Sequence, residues 1–379
     1  MINIINMKNS KWIDAAAACE IMGVKPATLY SYVSRSDVRV RTDAADPRRS
    51  LYALADIEAL HRKSRRPRAR SDIAQGAIRW GEPVLETAIS EVRDGMLWLR
   101  GRAVTDCAET MSLEDVAALL LDVPLDVHRL QDAAEAGPTV FARAMAYLAR
   151  EAGAAKPIAE LTEVERARDV GALLSGTADA CIGPLHGGLI HERLAAAWGV
   201  DGGAADTLRM ALVLLSDHEL NPSTFAVRVC ASTGASLPAA LLAGMATLSG
   251  VRHGTTSELA AKALALGDGV TDQLGSVDPY RFGFGHPLYP EGDPRGAMLM
   301  GVLPPNSTSA SAVRALSGRL GLAPNVDMAL TAVCAHLKLP PDAPQTIFAV
   351  ARLAGWAAHA IEQAARADII RPRSRYTGR

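Results

Sequence analysis

The pattern that most limits the possible folds is a long succession of amphipathic helical segments, broken by short glycine and proline turns, from about Gly81 onward. Hydrophobic residues make up 49% of the 379 residues, whereas aromatic residues make up only 4%. Because alanine and leucine dominate the apolar residues, close packing of helices is favoured over a sheet-based core. We therefore expect a mainly α protein that is longer than one typical domain.

The first 80 residues differ from the rest in charge and in pattern. They hold 15 Lys and Arg against 8 Asp and Glu, whereas the remainder holds 25 against 33, within an overall formal charge of −1. Helical spacing over residues 13–22, a turn at Gly23 and Pro26 ahead of a second short helix predict a helix-turn-helix. Strands at residues 38–42 and 51–53 and a helix over residues 54–63 are expected to follow.

This order resembles the winged helix-turn-helix of MerR- and excisionase-type DNA-binding domains. The resemblance implies such a domain over residues 1–63, with its second helix in the major groove and its wing on phosphates. The implied DNA-binding residues are Lys25, Thr28, Tyr30, Ser31, Arg48 and Arg49, and Arg39 and Arg41 also lie on the wing. A docking or dimerisation module is the alternative, because a net charge of about +7 is modest for a DNA-binding domain. Residues 64–80 are interpreted as a basic linker.

Four motifs in the larger part carry histidines, arginines and carboxylates. They are Asp217-His218-Glu219-Leu220-Asn221-Pro222, Arg252-His253-Gly254, Gly283-Phe284-Gly285-His286 and Pro324-Asn325-Val326-Asp327. Together with residues 95–121, where a hairpin and an Arg-Gly step precede a helix that starts at Ser112, they resemble the citrate synthases, including the 2-methylcitrate synthases. The resemblance runs from about residue 90 to the C-terminus. It implies a large and a small helical domain within residues 81–379.

The resemblance implies an acyltransferase that condenses acetyl-CoA with oxaloacetate to give citrate and CoA, a reaction of the tricarboxylic acid cycle. Asp327 would be the base that removes the α-proton of the acyl group, with its pKa raised by burial. His253 would stabilise the enol as a neutral donor, kept neutral by the helix that begins at Thr255. His286 would polarise the ketone of oxaloacetate. Three cationic side chains would bind the dicarboxylate, namely His218, Arg295 and Arg371.

Two departures from the family pattern keep other functions open. The usual Gly-Gly-Ala-Asn is Gly254-Thr255-Thr256-Ser257 here, and Pro290 stands where the family commonly has a basic residue near a CoA phosphate. One alternative is a 2-methylcitrate synthase that uses propionyl-CoA, since one methylene discriminates by only about 1–3 kcal/mol. The other is a DNA-binding regulator whose synthase-like domain senses oxaloacetate or an acyl-CoA. A sensor needs the cations but not the base, which argues for an enzyme.

A further histidine segment, Gly183-Pro184-Leu185-His186, reads like the family motif around the first catalytic histidine, but it precedes Asp217. We interpret His186 and His191 as surface or packing residues. Five scattered cysteines without C-x-x-C spacing predict neither disulfides nor a zinc site, and we expect no metal and no permanently bound cofactor. A polar N-terminus and the lack of any apolar run of about 20 residues predict a cytoplasmic protein. The family resemblance implies a homodimer.

Overall fold

The computed structural model describes residues 12–24, 28–29, 33, 38–43, 46, 49–64, 85–125, 137–184, 188–254, 256–270, 275–374 and 376–378. The chain divides into two compact units, Met1–Glu86 and Thr87–Arg379. The predicted linker, residues 64–80, lies almost wholly outside the described residues, so its limits stay predictions. Among the described residues, no helix is long and apolar enough to cross a membrane.

The described residues of the first unit include a three-stranded antiparallel sheet and helices before and after it in the sequence. The strands are β1 (Trp12–Asp14), β2 (Val40–Thr42) and β3 (Ser50–Ala53), in the order β1-β3-β2. Helix α1 (Ala15–Met22) begins at Asp14, whose carboxylate accepts from the Ala17 N–H at 2.9 Å, and ends at Gly23 in the left-handed conformation. Helix α2 (Leu54–Ser64) follows β3. The hydrophobic core of this first unit includes Ile13, Met22, Leu29, Tyr52 and Ile57.

The predicted strands and helices of this unit agree with the structure within two residues where they are described, but a strand before the first helix was not predicted. Residues 12–14 pair with β3, with Trp12 opposite Ala53, instead of opening the helix. Tertiary pairing has overridden the helical spacing there. The predicted recognition helix is described only at residues 28–29 and 33, which are helical. A winged helix-turn-helix therefore stays a prediction.

The second unit opens with a small antiparallel sheet. Its strands are β4 (Ser90–Arg93), β5 (Met96–Leu99) and β6 (Arg102–Ala103), in sequential order. The predicted hairpin and Arg-Gly step are present, and Ser112 caps the following helix in a capping box with Asp115. The predicted helix start at Ser112 is therefore confirmed.

The rest of this unit is helical, which confirms the mainly α fold class. The helices are α3 (Val104–Thr110), α4 (Leu113–Leu121), α5 (Val140–Ala152), α6 (Glu163–Ile182), α7 (Ile190–Ala197), α8 (Gly203–Leu215), α9 (Pro222–Ala231), α10 (Leu237–Leu248), α11 (Thr256–Leu266), α12 (Pro294–Gly301), α13 (Thr308–Leu320), α14 (Val326–His336) and α15 (Ala343–Ala364).

Helix α15 lies at the centre of the core. Most of its residues are buried, and it packs against α4, α6, α8, α9 and α10. Alanines and Gly355 let the neighbouring helices approach closely, while Trp356 fills the space between them. The second half of the chain brings α12 and α11 against α14. The predicted motifs lie at the ends of these helices, next to α15.

Candidate active site

The segments that carry His286 and Asp327 are joined by backbone pairing. Phe284 forms an antiparallel bridge with Pro324, the Gly285 N–H donates to Ala323 O at 2.8 Å, and the Asn325 N–H donates to Gly283 O at 2.9 Å. Gly283 has φ of +96°, and a Cβ there would lie 2.6 Å from the Cβ of Met328, so a side chain cannot fit. The glycine-rich turn therefore serves a close approach of two chain segments.

Asn325 then starts the helix that bears Asp327. Its side-chain oxygen accepts from the Asp327 N–H at 3.0 Å, and its amide nitrogen donates to Gly285 O at 3.1 Å. Burial raises the pKa of Asp327 to about 6, with Arg295 and Arg352 opposing and Asp293 reinforcing the shift. A carboxylate with such a pKa is suited to accept a proton near neutral pH.

His218, His286, Tyr289 and Tyr280 form one aromatic cluster. The His218 and His286 ring centroids lie 5.2 Å apart, edge to face, and Tyr289 lies 4.9 Å from His286. The Tyr289 hydroxyl is 2.9 Å from His218 Nε2. Burial, followed by the charge of Arg295, lowers the pKa of His286 to about 4 and also lowers the pKa of His218. Both rings are therefore neutral near pH 7.

The tautomer of His286 follows from its neighbour. The Leu288 N–H donates to Nδ1 at 3.1 Å, so the proton of the neutral ring is on Nε2. Tyr280 packs edge to face on the same ring at 5.3 Å. His286 can therefore donate a hydrogen bond from Nε2.

His253 lies at the turn between α10 and α11. Its Nε2 is 2.8 Å from Ser223 Oγ, and Ser223 Oγ is 2.6 Å from Asn221 Oδ1. Burial, then the charge of Arg352, lowers the pKa of His253 to about 4. The His253 ring is thus neutral as expected, but burial, and not the following helix, is the main cause of its lowered pKa. Thr255, the predicted start of the next helix, lies outside the described residues, and α11 begins at Thr256.

Arg295 is held by its own helix cap. Its Nε and Nη2 donate to the two carboxylate oxygens of Asp293 at 3.0 and 2.9 Å, and the Val326 N–H also donates to that carboxylate at 3.0 Å. Although burial alone would raise the pKa of Asp293, Arg295 holds it below its usual value. The Arg295 guanidinium lies 5.2 Å from the Tyr289 ring, which places it beside the histidine cluster.

Arg352, in the middle of α15, is a site residue that the motifs did not reveal. It is only 2% exposed, and its Nε donates to Leu215 O at 2.7 Å. Burial lowers its pKa to about 10, and its charge acts on the pKa values of His218, His253 and Asp327. No carboxylate of the described residues pairs with it. The signal in the sequence was an arginine within an alanine-rich, otherwise apolar helix.

The structure does not bring Arg371 to this cluster. It follows α15 in an exposed segment, where the Ile370 N–H donates to Ser232 Oγ at 3.1 Å. His191 is buried on α7, as a packing residue would be, whereas His186 lies outside the described residues. No group of three or more metal-ligating side chains was found among the described residues.

In the first unit, the structure describes part of the predicted DNA-binding set. Thr28 is exposed and helical, and Arg49 pairs with Asp14 at 3.0 Å. Arg39 pairs with Asp56 at 2.8 Å, and the Arg41 guanidinium lies 4.5 Å from the Trp12 ring. Four further residues lie outside the described residues, namely Lys25, Tyr30, Ser31 and Arg48. The described wing arginines thus already have partners within the unit.

A helical fold around three neutral histidines, a carboxylate of raised pKa and buried arginines defines a class of proteins. Residues 177–373, just over half of the chain, match the family model "Citrate synthase, C-terminal domain". The chain belongs to the citrate synthase family.

Individual proteins and structures agree with this assignment. A citrate synthase of Haloferax volcanii is 35% identical over 196 residues, 46% of this chain and 50% of that protein. A 2-methylcitrate synthase of Corynebacterium glutamicum is 29% identical over 223 residues, 52% of this chain and 58% of that protein. The chain spans about half the length of the curated relatives it matches.

Two solved structures share the fold over a longer stretch. The citrate synthase of Thermotoga maritima superimposes with a TM-score of 0.66 at 23% identity, covering 79% of this chain and 94% of that one. A citrate synthase of Thermoplasma acidophilum, in a ternary complex with carboxymethyl coenzyme A and oxaloacetate, superimposes with a TM-score of 0.65 at 23% identity, covering 78% of this chain and 94% of that one. At this identity the likeness concerns the fold.

Proposed function

We propose that this protein condenses acetyl-CoA with oxaloacetate to give citrate and CoA. The observation that carries the proposal is the buried guanidinium of Arg352, which forms no ion pair with a carboxylate of the described residues and lies close enough to Arg295 and His218 to interact with them electrostatically. A buried, unpaired cation is costly, so the site is suited to an anionic ligand. A dicarboxylate such as oxaloacetate supplies the missing negative charge.

The remaining groups suit the chemistry of the acyl substrate. Asp327 takes a proton from the methyl group of the thioester, and the pKa of about 6 leaves it ionised at neutral pH. Because the Ser223 hydroxyl donates its one proton to Asn221 Oδ1, it accepts from His253, and the neutral ring carries its proton on Nε2. That N–H stabilises the enol oxygen when it exchanges Ser223 for the substrate.

His286 then acts on the second substrate. The enol carbon attacks the ketone carbon of oxaloacetate, and the ketone oxygen takes the Nε2 proton of His286, whose Nδ1 is held by Leu288. Water cleaves the resulting thioester and releases CoA. Arg352 and Arg295 hold the carboxylates, and Arg352 takes a place in substrate binding for which Arg371 was predicted.

A thiol-release assay with oxaloacetate and a panel of acyl-CoAs tests the proposal. We expect turnover with acetyl-CoA, and the rate with propionyl-CoA decides between citrate and 2-methylcitrate synthesis. Arg352→Gln should raise the KM for oxaloacetate at least about 10-fold, because a charge-assisted bond of about 1.5–3 kcal/mol is lost. Arg150→Gln is a matched control on an exposed arginine. Tight oxaloacetate binding without turnover would instead favour the sensor.

We propose DNA binding as a second function, of the first unit alone. The excess of basic residues over residues 1–80 and the exposed Thr28 at a described helical position support it. The pairing of Arg39 and Arg49 with acidic neighbours weakens the phosphate contacts predicted for the wing. A fluorescence-anisotropy titration on genomic DNA fragments, with full-length protein and a chain lacking residues 1–72, tests it. Equal weak binding by both would leave a docking module.

The family resemblance also leads us to propose a homodimer in the cytoplasm. In a two-fold particle the two N-terminal units would favour inverted half-sites on DNA. Sedimentation velocity of the full chain measures the subunit number, and a monomer at micromolar concentration would contradict the dimer.

A further inference from the structure

The chemistry proposed above leaves unused a chain of buried polar groups behind His218. Asp217 and His359 have fully buried side chains, and Asp217 Oδ1 lies 3.4 Å from His359 Nε2. On the far side of the histidine, Arg228 Nη1 lies 3.0 Å from Nδ1. Groups of this kind are costly to bury, so their retention in an apolar core requires an explanation.

Arg228 determines the tautomer of His359. A guanidinium only donates, so Nδ1 of His359 accepts and the proton of the neutral ring lies on Nε2, facing Asp217. Arg228 is itself fixed by Glu362 at 2.6 Å and by Gln363 at 3.1 Å. The Nε2 proton of His359 therefore lies on the side of the Asp217 carboxylate, 3.4 Å from Oδ1, although the two atoms do not form a hydrogen bond.

The carboxylate of Asp217 also organises the chain on both sides of His218. Its Oδ2 accepts from the Ser90 hydroxyl and from the Glu219 N–H at 3.1 Å. Glu219 has φ of +49°, unusual for a residue with a side chain, and its carboxylate accepts from the Val92 N–H at 2.5 Å. Strand β4 thus holds both neighbours of His218.

Helix α15 closes the other side of this carboxylate. The Gly355 N–H donates to Ser216 O at 3.0 Å, and a Cβ at Gly355 would collide with Asp217 Oδ1. The same helix supplies Arg352 and His359. By contrast, the His218 ring has one hydrogen bond from the described residues, to Tyr289 at 2.9 Å. The His218 carbonyl accepts from the Asn221 amide nitrogen at 3.2 Å, and the contacts of Asp217 and Glu219 hold the backbone on either side of it.

We propose that Asp217 and His359 are positioning residues that set the orientation of His218 toward the oxaloacetate carboxylate or ketone. The inference rests on the proposed function, because it assigns a role to groups behind that substrate site. Neither residue touches the substrate; they act through the backbone of residues 217–219. Misplacement of a binding group by about 1 Å costs about 100-fold in such sites. A purely structural role would lower stability without this selective loss.

The test uses the full chain with Asp217→Asn, His359→Gln and the milder Ser90→Ala. Asp179→Asn is the control, since Asp179 and Arg193 form another buried pair, with side chains 2% and 5% exposed, on α6 and α7. Calorimetry with oxaloacetate and steady-state kinetics are measured for each. We expect Asp217→Asn to raise the Kd and the KM for oxaloacetate about 10- to 100-fold, with the KM for acetyl-CoA within about twofold. Ser90→Ala should shift the same two constants less, and so should His359→Gln, which keeps an N–H donor.

A second measurement separates this inference from the proposed function. Histidine ¹⁵N spectra of the ligand-free chain, assigned with His218→Ala, should show the His218 ring resonances shifted in Asp217→Asn but not in Asp179→Asn. If the wild type fails to bind oxaloacetate, the proposed function fails while the spectra still report the orientation of His218. Unshifted His218 resonances, or equal loss of thermal stability in both Asn variants with unchanged oxaloacetate constants, would overturn the positioning role.

Discussion

Replacing Asp327 by asparagine should stabilise the folded protein at neutral pH while abolishing its turnover. The Asp327 carboxyl accepts no hydrogen bond from the described residues, so the change removes a charge without breaking a side-chain hydrogen bond among them. Burial raises the pKa of this carboxyl from 3.8 to about 6, which means that the folded state disfavours its ionised form. Ionisation of Asp327 therefore stabilises the unfolded state more than the folded state.

The magnitude follows from this pKa difference. A shift of about two pH units corresponds to about 3 kcal/mol, as an upper bound because the residue is only half-buried. The negative charge of Asp327 also stabilises the first turn of α14, and its loss reduces the gain in unfolding free energy by up to about 1 kcal/mol. The destabilisation by the charged form is absent below the unfolded pKa of about 4 and complete above about 6. We expect the variant to gain about 1–3 kcal/mol at pH 7.5 and little at pH 4.

Urea unfolding of both proteins, followed by circular dichroism at the two pH values, measures the difference. Asp106→Asn is the control, an exposed carboxylate in the first turn of α3, and it should lower stability slightly at both pH values. The wild-type kcat should also fall about tenfold per pH unit below about 6. An Asp327→Asn variant that is less stable than the wild type at pH 7.5, or that keeps its turnover, would refute the assignment.

Three further outcomes are expected. His253→Ala should lose nearly all turnover whereas His186→Ala keeps it, and the reverse result in folded protein, measured by thiol release, would show that the motifs were assigned to the wrong segments. Pro290→Lys should lower the KM for acetyl-CoA by supplying a phosphate contact; an unchanged or higher KM would argue against a missing contact. Gly355→Ala should cost at least about 2 kcal/mol in unfolding free energy, because the added methyl meets Asp217 in a packed core, and urea unfolding with wild-type stability would contradict this packing.

Local patterns predicted those parts of the fold that depend on short-range physics. The cap at Ser112 follows from a side chain that bonds a nearby N–H group, and such a bond can be predicted from a few residues of sequence. Strand β1 was missed because its pairing with β3 joins residues about 40 apart, and the apolar spacing of residues 13–22 suits a helix equally well.

In the candidate site, too, residues in local motifs were predicted and a residue placed by long-range packing was missed. His218, His286 and Arg295 were predicted from motifs, and the structure brings them together around Tyr289. Arg352 was missed because it stands alone in a helix, and only the packing of α15 against the ends of α8 places its charge in the site. Arg371 was predicted beside the dicarboxylate, but the structure leaves it exposed.

The pairing of residues 283–285 with residues 323–325 makes the segments that carry His286 and Asp327 a single unit for protein engineering. Because no side chain fits at Gly283 against Met328, a change of backbone position in one segment forces the other segment to move. Exchange of the loop after His286 alone, to change substrate preference, would disturb the backbone pairing between these two segments. Transplanting residues 283–290 together with residues 323–328 preserves that pairing, while the intervening helices α12 and α13 can stay native.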